Sequence, residues 1–412
     1  MSEAMALPWL NNPVAVSAVL RPRLRVLLRG FEGAPTRRQW DGRQDRNAYD
    51  TPQATVTELQ GAWQAQVERN NWYHGDRFSI EAPLYGGPAF GLAWWSAQAF
   101  GLMAEIQMQT SEGAWQTITL GHVDKVDAQP VPGIVRIEGR DLTARFIETK
   151  TQEAFPNRTA SQVVEELAGR HGIRVQATRT TALVRSYYVR DHVHFTLDQF
   201  SRSTTEWDLM VSLAQYEGFD LFVEGDTLYF RPPVEETAKP FVVQWRNPMI
   251  DRDATYGRES NVLDIRLSRA LTLARDIEVQ VKSWNSQRGA GFVKTARAIG
   301  GRSASPGRAA TQYGTPTQRT IFVVPNLSEV AAQKYANNQL LLLSQNERLM
   351  SFRMPADLRV TPRTLLQLQG TGSDWDQFYH VDNITLSMDF EGGFGMSVAA
   401  KNRDARSQVV LR

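Results

Sequence analysis

His192 and His194 stand two residues apart, with Asp191 and Asp198 beside them. On a strand this spacing puts both imidazoles on one face, which is how a divalent-metal site can begin. No third ligand falls at a fixed distance, and two histidines on a polar strand face need no metal. His380 and Asp382 repeat the spacing, with Asp374 and Asp376 just upstream. Carboxylates held about 5–9.5 Å apart across a sugar would serve a glycoside hydrolase. Carboxylates two apart are also ordinary on β surfaces, and no neighbouring residue type marks one of these as buried. Phe90, Trp94, Trp95 and Phe100 could stack sugars or bases. A packed core or interface uses the same residues and is the plainer reading.

Other chemistry is excluded by what the chain lacks. There are no cysteines, so disulfides, thiolate metal sites and cysteine nucleophiles are out. No G-x-S-x-G occurs for a nucleophile elbow, and no G-x-x-x-x-G-K-[ST] for a phosphate loop. Gly86-Gly87-Pro88 and Gly300-Gly301-Arg302 read as turns. The expectation is a protein that is not an enzyme, with no catalytic, cofactor-binding or metal-binding residues.

The 412 residues suggest two to three domains, and 42% hydrophobic content suffices for real cores. Forty-six basic against 44 acidic residues leave a net charge of +2, so no specific nucleic-acid binding is expected. No apolar run approaches the ~20 residues of a membrane helix, so no membrane partner is expected. The first twenty residues lack the basic start and small-residue cleavage site of a signal peptide. A soluble chain made in a cytoplasm follows, with its Asn-x-Ser/Thr sequons arising by chance.

These residues need elements to hold them. Residues 1–20 read as an arm, and Arg21 to Leu28 as a strand. Gly30 to Pro52 is a polar loop whose arginines (Arg37, Arg38, Arg43, Arg46) suit solvent as well as an anionic partner. From Thr55 to Thr149 short alternating segments dominate, ARFIETK among them, and suggest a barrel or sandwich. Residues 151–235 change character. Thr159 and Gln162 form a capping box for a helix with Val163, Val164 and Leu167 on one face, stopped at Gly172. Ser203 and Glu206 open a second helix carrying Trp207, Met210, Val211 and Ala214, stopped at Gly218. Phe219, Leu221 and Val223, the Gly225-Asp226 turn and Leu228 to Phe230 make a hairpin. Beyond Pro232-Pro233 alternation resumes through 236–412. That region holds a mobile loop over Gly289 to Thr317, and a helix capped by Asn326 and Glu329 that runs to about Met350. Val330, Ala331, Tyr335 and Leu342 form the buried face of this helix. The fold class is mainly β with an α+β middle module: two β-barrel-like domains, 21–150 and 236–412, flank a helix-helix-hairpin domain.

Four of these features occur in a characteristic order. Gly139-Arg140-Asp141-Leu142-Thr143 ends a strand, and a helix closes on His171-Gly172. The next helix enters through Ser203, Glu206, Trp207 and Asp208, and a hairpin runs from Gly218-Phe219 to Leu228 and Phe230. The set resembles the late-control-D-like hub proteins of phage tail baseplates, relatives of the VgrG spike proteins of type VI secretion. The resemblance covers about residues 20–400 and is firmest over 135–230. It implies a structural protein of the virion, with two tube domains per chain. Three chains would form a homotrimer whose pseudo-sixfold ring joins a tail tube to a central spike. The implied neighbours are the tail tube or distal tail protein, the spike and the tape measure protein. A hub of another contractile injection system, or a wall-degrading or carbohydrate-binding baseplate protein, are the alternatives.

Overall fold

The computed structural model describes residues 22–31, 36–37, 49–50, 54–71, 73–88, 90–97, 101–109, 114–151, 153, 155, 158–181, 204–233, 239–245, 260–270, 277–285, 290–297, 318–324, 327–344, 348–390 and 392–402. The N-terminal arm, His192, His194, Asp191, Asp198, Ser203, Asn326 and residues 298–317 of the predicted loop lie outside them. The chain is mainly β. No described helix is long and apolar enough to cross a membrane.

The first region contains β1 (Arg23–Phe31), β2 (Thr36–Arg37), β3 (Tyr49–Asp50), β4 (Ala54–Glu58), β5 (Gln64–Asn70) and β6 (Arg77–Pro83). After a short α1 (Leu92–Ala97) come β7 (Met103–Gln109), β8 (Gln116–Gln129) and β9 (Ile134–Asp141). Alternation makes these strands: Phe78, Ile80 and Ala82 point inward, as do Val135 and Ile137. The segment ARFIETK is not a strand. Asp141 accepts from Thr143 N at 3.1 Å and turns the chain into α2 (Thr143–Glu148).

The middle module adds β10 (Lys150–Thr151), α3 (Ala160–Arg170), β11 (Arg174–Ala177), β12 (Thr204–Thr205), α4 (Glu206–Glu217), β13 (Asp220–Glu224) and β14 (Thr227–Arg231). The Thr159/Gln162 capping box opens α3. Gly172, at φ +65°, turns the chain away after it, and Val163, Val164 and Leu167 are fully buried. Each such side chain contributes about 1.5–3 kcal/mol by leaving water. The second helix is capped by Thr205, whose hydroxyl accepts from Asp208 N at 3.0 Å, rather than by a Ser203–Glu206 box. Phe219 precedes the hairpin strand. A third strand, β11, pairs parallel to β14 and completes a three-stranded sheet over the helices.

The last region runs through β15 (Phe241–Gln244), β16 (Asp264–Arg269), β17 (Ile277–Asn285), β18 (Ala290–Arg297) and β19 (Gln318–Val323). Then come α5 (Glu329–Ser344), β20 (Arg348–Pro355), β21 (Leu365–Gln369), β22 (Phe378–Asp389) and β23 (Gly393–Asn402). The predicted loop therefore begins as a strand, β18, in a hairpin with β17. Ser328 caps α5, its hydroxyl accepting from Ala331 N at 3.1 Å. The buried face of α5 is Ala332, Ala336 and Leu340, while Val330 is 81% exposed. Small residues win that face because it lies on the β17–β18 sheet, where Val279, Val281 and Ala296 complete a separate core. The helix ends at Ser344, and Met350 is a buried residue of β20.

Leaving out β2, β3, β4 and the β17–β19 unit, the two β regions follow one strand order. The first runs β5-β6-β9-β8-β7-β1 and the second β16-β20-β23-β22-β21-β15. Numbered within its own region, each path reads second, third, sixth, fifth, fourth, first. They differ at the last pairing, where β1 is antiparallel to β7 and β15 is parallel to β21. In each path the first strand also bonds the segment that leads toward the second: Leu59 N, continuing the β1–β4 ladder, donates to Val26 O at 2.9 Å, and Trp245 bridges Ser260. Residues match as well as strands. Both fifth strands carry a bulge against the sixth, in His122-Val123-Asp124-Lys125-Val126 and in His380-Val381-Asp382-Asn383-Ile384. In each, the bulged aspartate pairs with the cation opposite the histidine: Asp124 with Arg140 at 2.6 Å, Asp382 with Lys401 at 2.5 Å. Both third strands end in proline, Pro83 and Pro355. The two barrels join where β5 pairs antiparallel with β22, Asn70 opposite Asn383 through Ala65 opposite Met388. One apolar cluster runs through both.

Candidate functional site

The most elaborate polar and aromatic assembly lies where the first barrel, the middle module and the β22–β23 pair meet. A cleft of about 840 Å³ opens there, lined by the 73–77 loop, Arg140, the first turns of α2 and α4, and Asp382 with Lys401. Two of the sequence motifs reach its walls, Arg140 and Thr143 from one and Trp207 and Asp208 from the other.

The Gly139-to-Thr143 stretch is explained position by position. At Gly139 a Cβ would overlap His122 O and the Phe78 ring, so only glycine lets β8 and β9 approach there. Arg140 forks onto Asp124 at 2.6 and 2.8 Å and reaches Glu148 at 2.6 Å, tying the bulge to α2. Asp141 is buried, its backbone N–H donating to Asp76 O at 3.0 Å. Burial, then the neighbouring Asp76 carboxylate, pushes the Asp141 carboxyl up to about 7. Burial likewise raises Asp76 to about 6, against the opposing pull of Arg69. Asp76 Oδ1 accepts from Asn70 N at 2.8 Å, so both acids hold backbone turns.

The two helix motifs meet each other. Glu206, 3% exposed, lies with Oε2 2.6 Å from His171 Nε2, so the histidine ending α3 holds the first residue of α4. The His171 ring stands edge-on to Phe146 at 4.8 Å. Arg145 continues the chain, donating from Nε to His122 Nε2 at 2.8 Å and from Nη1 to His171 O at 2.9 Å. Burial and the adjacent Arg145 hold the His122 pKa below its usual value.

Trp207 and Tyr73 brace the module against the barrel. Trp207 is 5% exposed and packs near Phe146. Its Nε1 donates to Tyr73 O at 2.9 Å, and the Tyr73 hydroxyl donates to Phe219 O at 2.8 Å. Tyr73 has φ +71°, a left-handed backbone held by these two bonds.

The candidates singled out from sequence fall elsewhere. The His192/His194 group lies outside the described residues. The carboxylates near His380 each have a separate partner. Asp376 accepts from Thr371 N at 3.0 Å and Gly372 N at 2.9 Å, Asp374 lies 3.8 Å from Arg348, and Asp382 holds Lys401. Trp95 is a core residue, stacked on Phe90 at 5.5 Å and donating from Nε1 to Leu84 O at 3.0 Å, with Trp94 edge-on to both. Phe100 is outside the described residues. Among the described residues no three metal-ligating side chains gather. Sequence reasoning missed the Asp76–Asp141 pair, Tyr73 and the bulge repeat. The doubled H-V-D triplet at 122–124 and 380–382 was the available signal.

Among the described residues the assembly is a network of side-chain and backbone ties that joins the first barrel, the module and β22–β23. Solved structures with a similar fold include tail proteins. A tail protein from Neisseria meningitidis MC58 matches over 92% of this chain and 96% of its own, with TM-score 0.61 and 12% identity. The chain has the fold of phage tail proteins. The 43 kDa tail protein of prophage MuSo2 from Shewanella oneidensis matches with TM-score 0.56 and 13% identity, over 94% of this chain and 99% of its own. A Francisella PdpA-VgrG complex structure matches with TM-score 0.51 and 8% identity, over 94% of this chain and 59% of its own. No protein-family model and no curated protein sequence matches the chain.

Proposed function

We propose that the protein is the structural hub of a phage tail baseplate: a homotrimer whose six barrels form a pseudo-sixfold ring between tail tube and central spike. The observation that carries this is the internal duplication, two barrels of one strand order with the same bulge signature. Two like domains per chain make a threefold assembly present sixfold contacts, so one component can meet a sixfold tube on one side and a threefold spike on the other. The domains are the arm 1–20, barrels over 21–150 and 236–412, and the 151–235 module braced to the barrels through Trp207 and Tyr73. The unit of β17–β19 and α5, with its own core, is inserted between β16 and β20 and touches the module, Lys334 Nζ lying 3.1 Å from Glu217. The partners are two further copies, the tail tube or distal tail protein, the spike and the tape measure protein. The protein resides in the virion tail, assembles in the host cytoplasm and performs no catalysis.

The same hub in another contractile injection system is a second reading, favoured by the likeness to the VgrG-containing structure. Light scattering with negative-stain microscopy tests the common core of both. A trimer with threefold rings is expected. A stable monomer at micromolar concentration, without rings even when spike is added, overturns the reading. Lysis of purified cell wall would overturn its non-enzymatic part.

A further inference from the structure

The duplication leaves two strand edges whose counterparts are filled. The fifth strand of the second barrel, β22, gives its first residues to β21 and, beyond the bulge, its Asn383–Met388 edge to β5 of the first barrel. The fifth strand of the first barrel, β8, pairs with β7 only through His122. Beyond its bulge, residues 125–129 pair with β9 on one side, and among the described residues no strand lies on the other. The counterpart of β5 is β16. It pairs with β20, and its far edge likewise carries no described strand.

Burial points the same way. At the filled edges Ala65, Val67 and Ile384 are 0% and Leu386 2% exposed. Their counterparts Ile265, Leu267, Val126 and Ala128 are only half-buried. These residues pack against the barrel core, and no described strand lies beside them to cover them.

We propose that copies of this chain join edge to edge, residues 125–129 of β8 in one copy pairing antiparallel with β16 of the next, in the register that β22 and β5 use within the chain. The counterpart residues set that register through the shared bulge. Asn383 corresponds to Lys125 and Val67 to Leu267, so Asp127 lies opposite Ser268, Ala128 opposite Leu267 and Gln129 opposite Arg266. The faces agree: Ala128 and Leu267 look inward, and Asp127, Gln129, Arg266 and Ser268 look outward. Val126 meets Arg269 as Ile384 meets Arg69. Pro130, which has no N–H to give, ends the pairing. The contact is heterologous, one edge against a different one, so it does not make a two-fold dimer, and it makes a ring where the rotation between copies closes. The number of copies, three, rests on the hub reading.

The absence of native cysteine makes the test direct. Directly opposed residues of an antiparallel pair have Cα atoms about 4.5–5.5 Å apart, within disulfide reach. Chains carrying Asp127→Cys are mixed with chains carrying Ser268→Cys and oxidised. A second pair, Gln129→Cys with Arg266→Cys, guards against local disturbance. Covalent dimers are expected in each mixture and not in either chain alone, and a chain carrying both cysteines should give bands ending at trimer. Asp127→Cys with Asp264→Cys, about 13 Å out of register, should not link. Rings without cross-links in either matched pair would overturn the edge pairing and leave the hub reading standing. Chains that remain monomeric would overturn both.

Discussion

Replacing Trp207 by alanine tests whether the middle module has the core described. The indole is 95% buried among α2, α4 and the 73–77 loop, since only 5% of the residue is exposed. Emptying such a site costs about 3–5 kcal/mol. The substitution also strips Tyr73 O of its donor, at about 0.5–1.5 kcal/mol. Domains are stable by only about 5–15 kcal/mol, so the loss is a large share of the total. Because the module's apolar cluster is separate from the barrel cluster, the loss falls on the module first. For a domain of this size, about 4–8 °C of melting temperature goes with each kcal/mol, so its transition should fall by more than about 10 °C. Calorimetry suits the measurement, because 11 tryptophans blur fluorescence. The expected trace has an early module transition and a later β transition at its original place. Trp207→Phe, which keeps an aromatic ring and loses only the N–H and some volume, should cost about 1–2 kcal/mol. A trace for Trp207→Ala that overlays the parent's would refute the packing argument and leave Trp207 as a contact for another protein.

The Asp76–Asp141 pair gives stability a pH signature. Both folded pKa values lie above the unfolded ones, near 6 and 7, so the folded state holds extra protons between about pH 4 and 7. Their contribution is present in full below pH 4 and is lost as pH rises through 6 and 7. Asp141→Asn should therefore flatten the change in denaturation midpoint between pH 5 and 8, and an unchanged slope would contradict it. Gly139→Ala should destabilise the first barrel by about 1–3 kcal/mol or more, because the new Cβ meets His122 O and Phe78. The second barrel tolerates Ala400 at the matching position, with Met350 in place of Phe78, so a double change of Gly139→Ala with Phe78→Met should recover part of the loss in a urea melt. Glu206→Gln keeps the shape and removes the charge facing His171. It should lower the module's melting temperature by several degrees in a calorimetric scan, because the buried carboxylate's 2.6 Å contact with His171 is weakened, and an unchanged transition would contradict it.

Local signals in the chain specified local structure. Thr159 with Gln162, and the left-handed Gly172 and Gly218, set helix ends through bonds within a few residues, which any reader of the sequence can count. The alternation at Phe78, Ile80 and Ala82 marked an inward face because strand geometry has a period of two wherever it occurs. Errors came where a residue answers to something distant. Glu206 looks like a helix cap, yet its carboxylate turns to His171, thirty-five residues back. Val330 falls on the periodic stripe of α5, but the neighbouring sheet accepts small side chains, so Ala332 and Ala336 are buried and Val330 is not. Ala144 to Lys150 reads as a strand, yet Thr143 to Glu148 folds as a helix, entered through a turn in which buried Asp141 accepts from Thr143 N. The barrel pairing is further still from local reach. His122-Val123-Asp124 and His380-Val381-Asp382 are visible as a repeat in one dimension, but a triplet does not state which edge it leaves open. That depended on β22 finding β5 more than 300 residues away, a pairing decided by register and apolar burial across the whole chain.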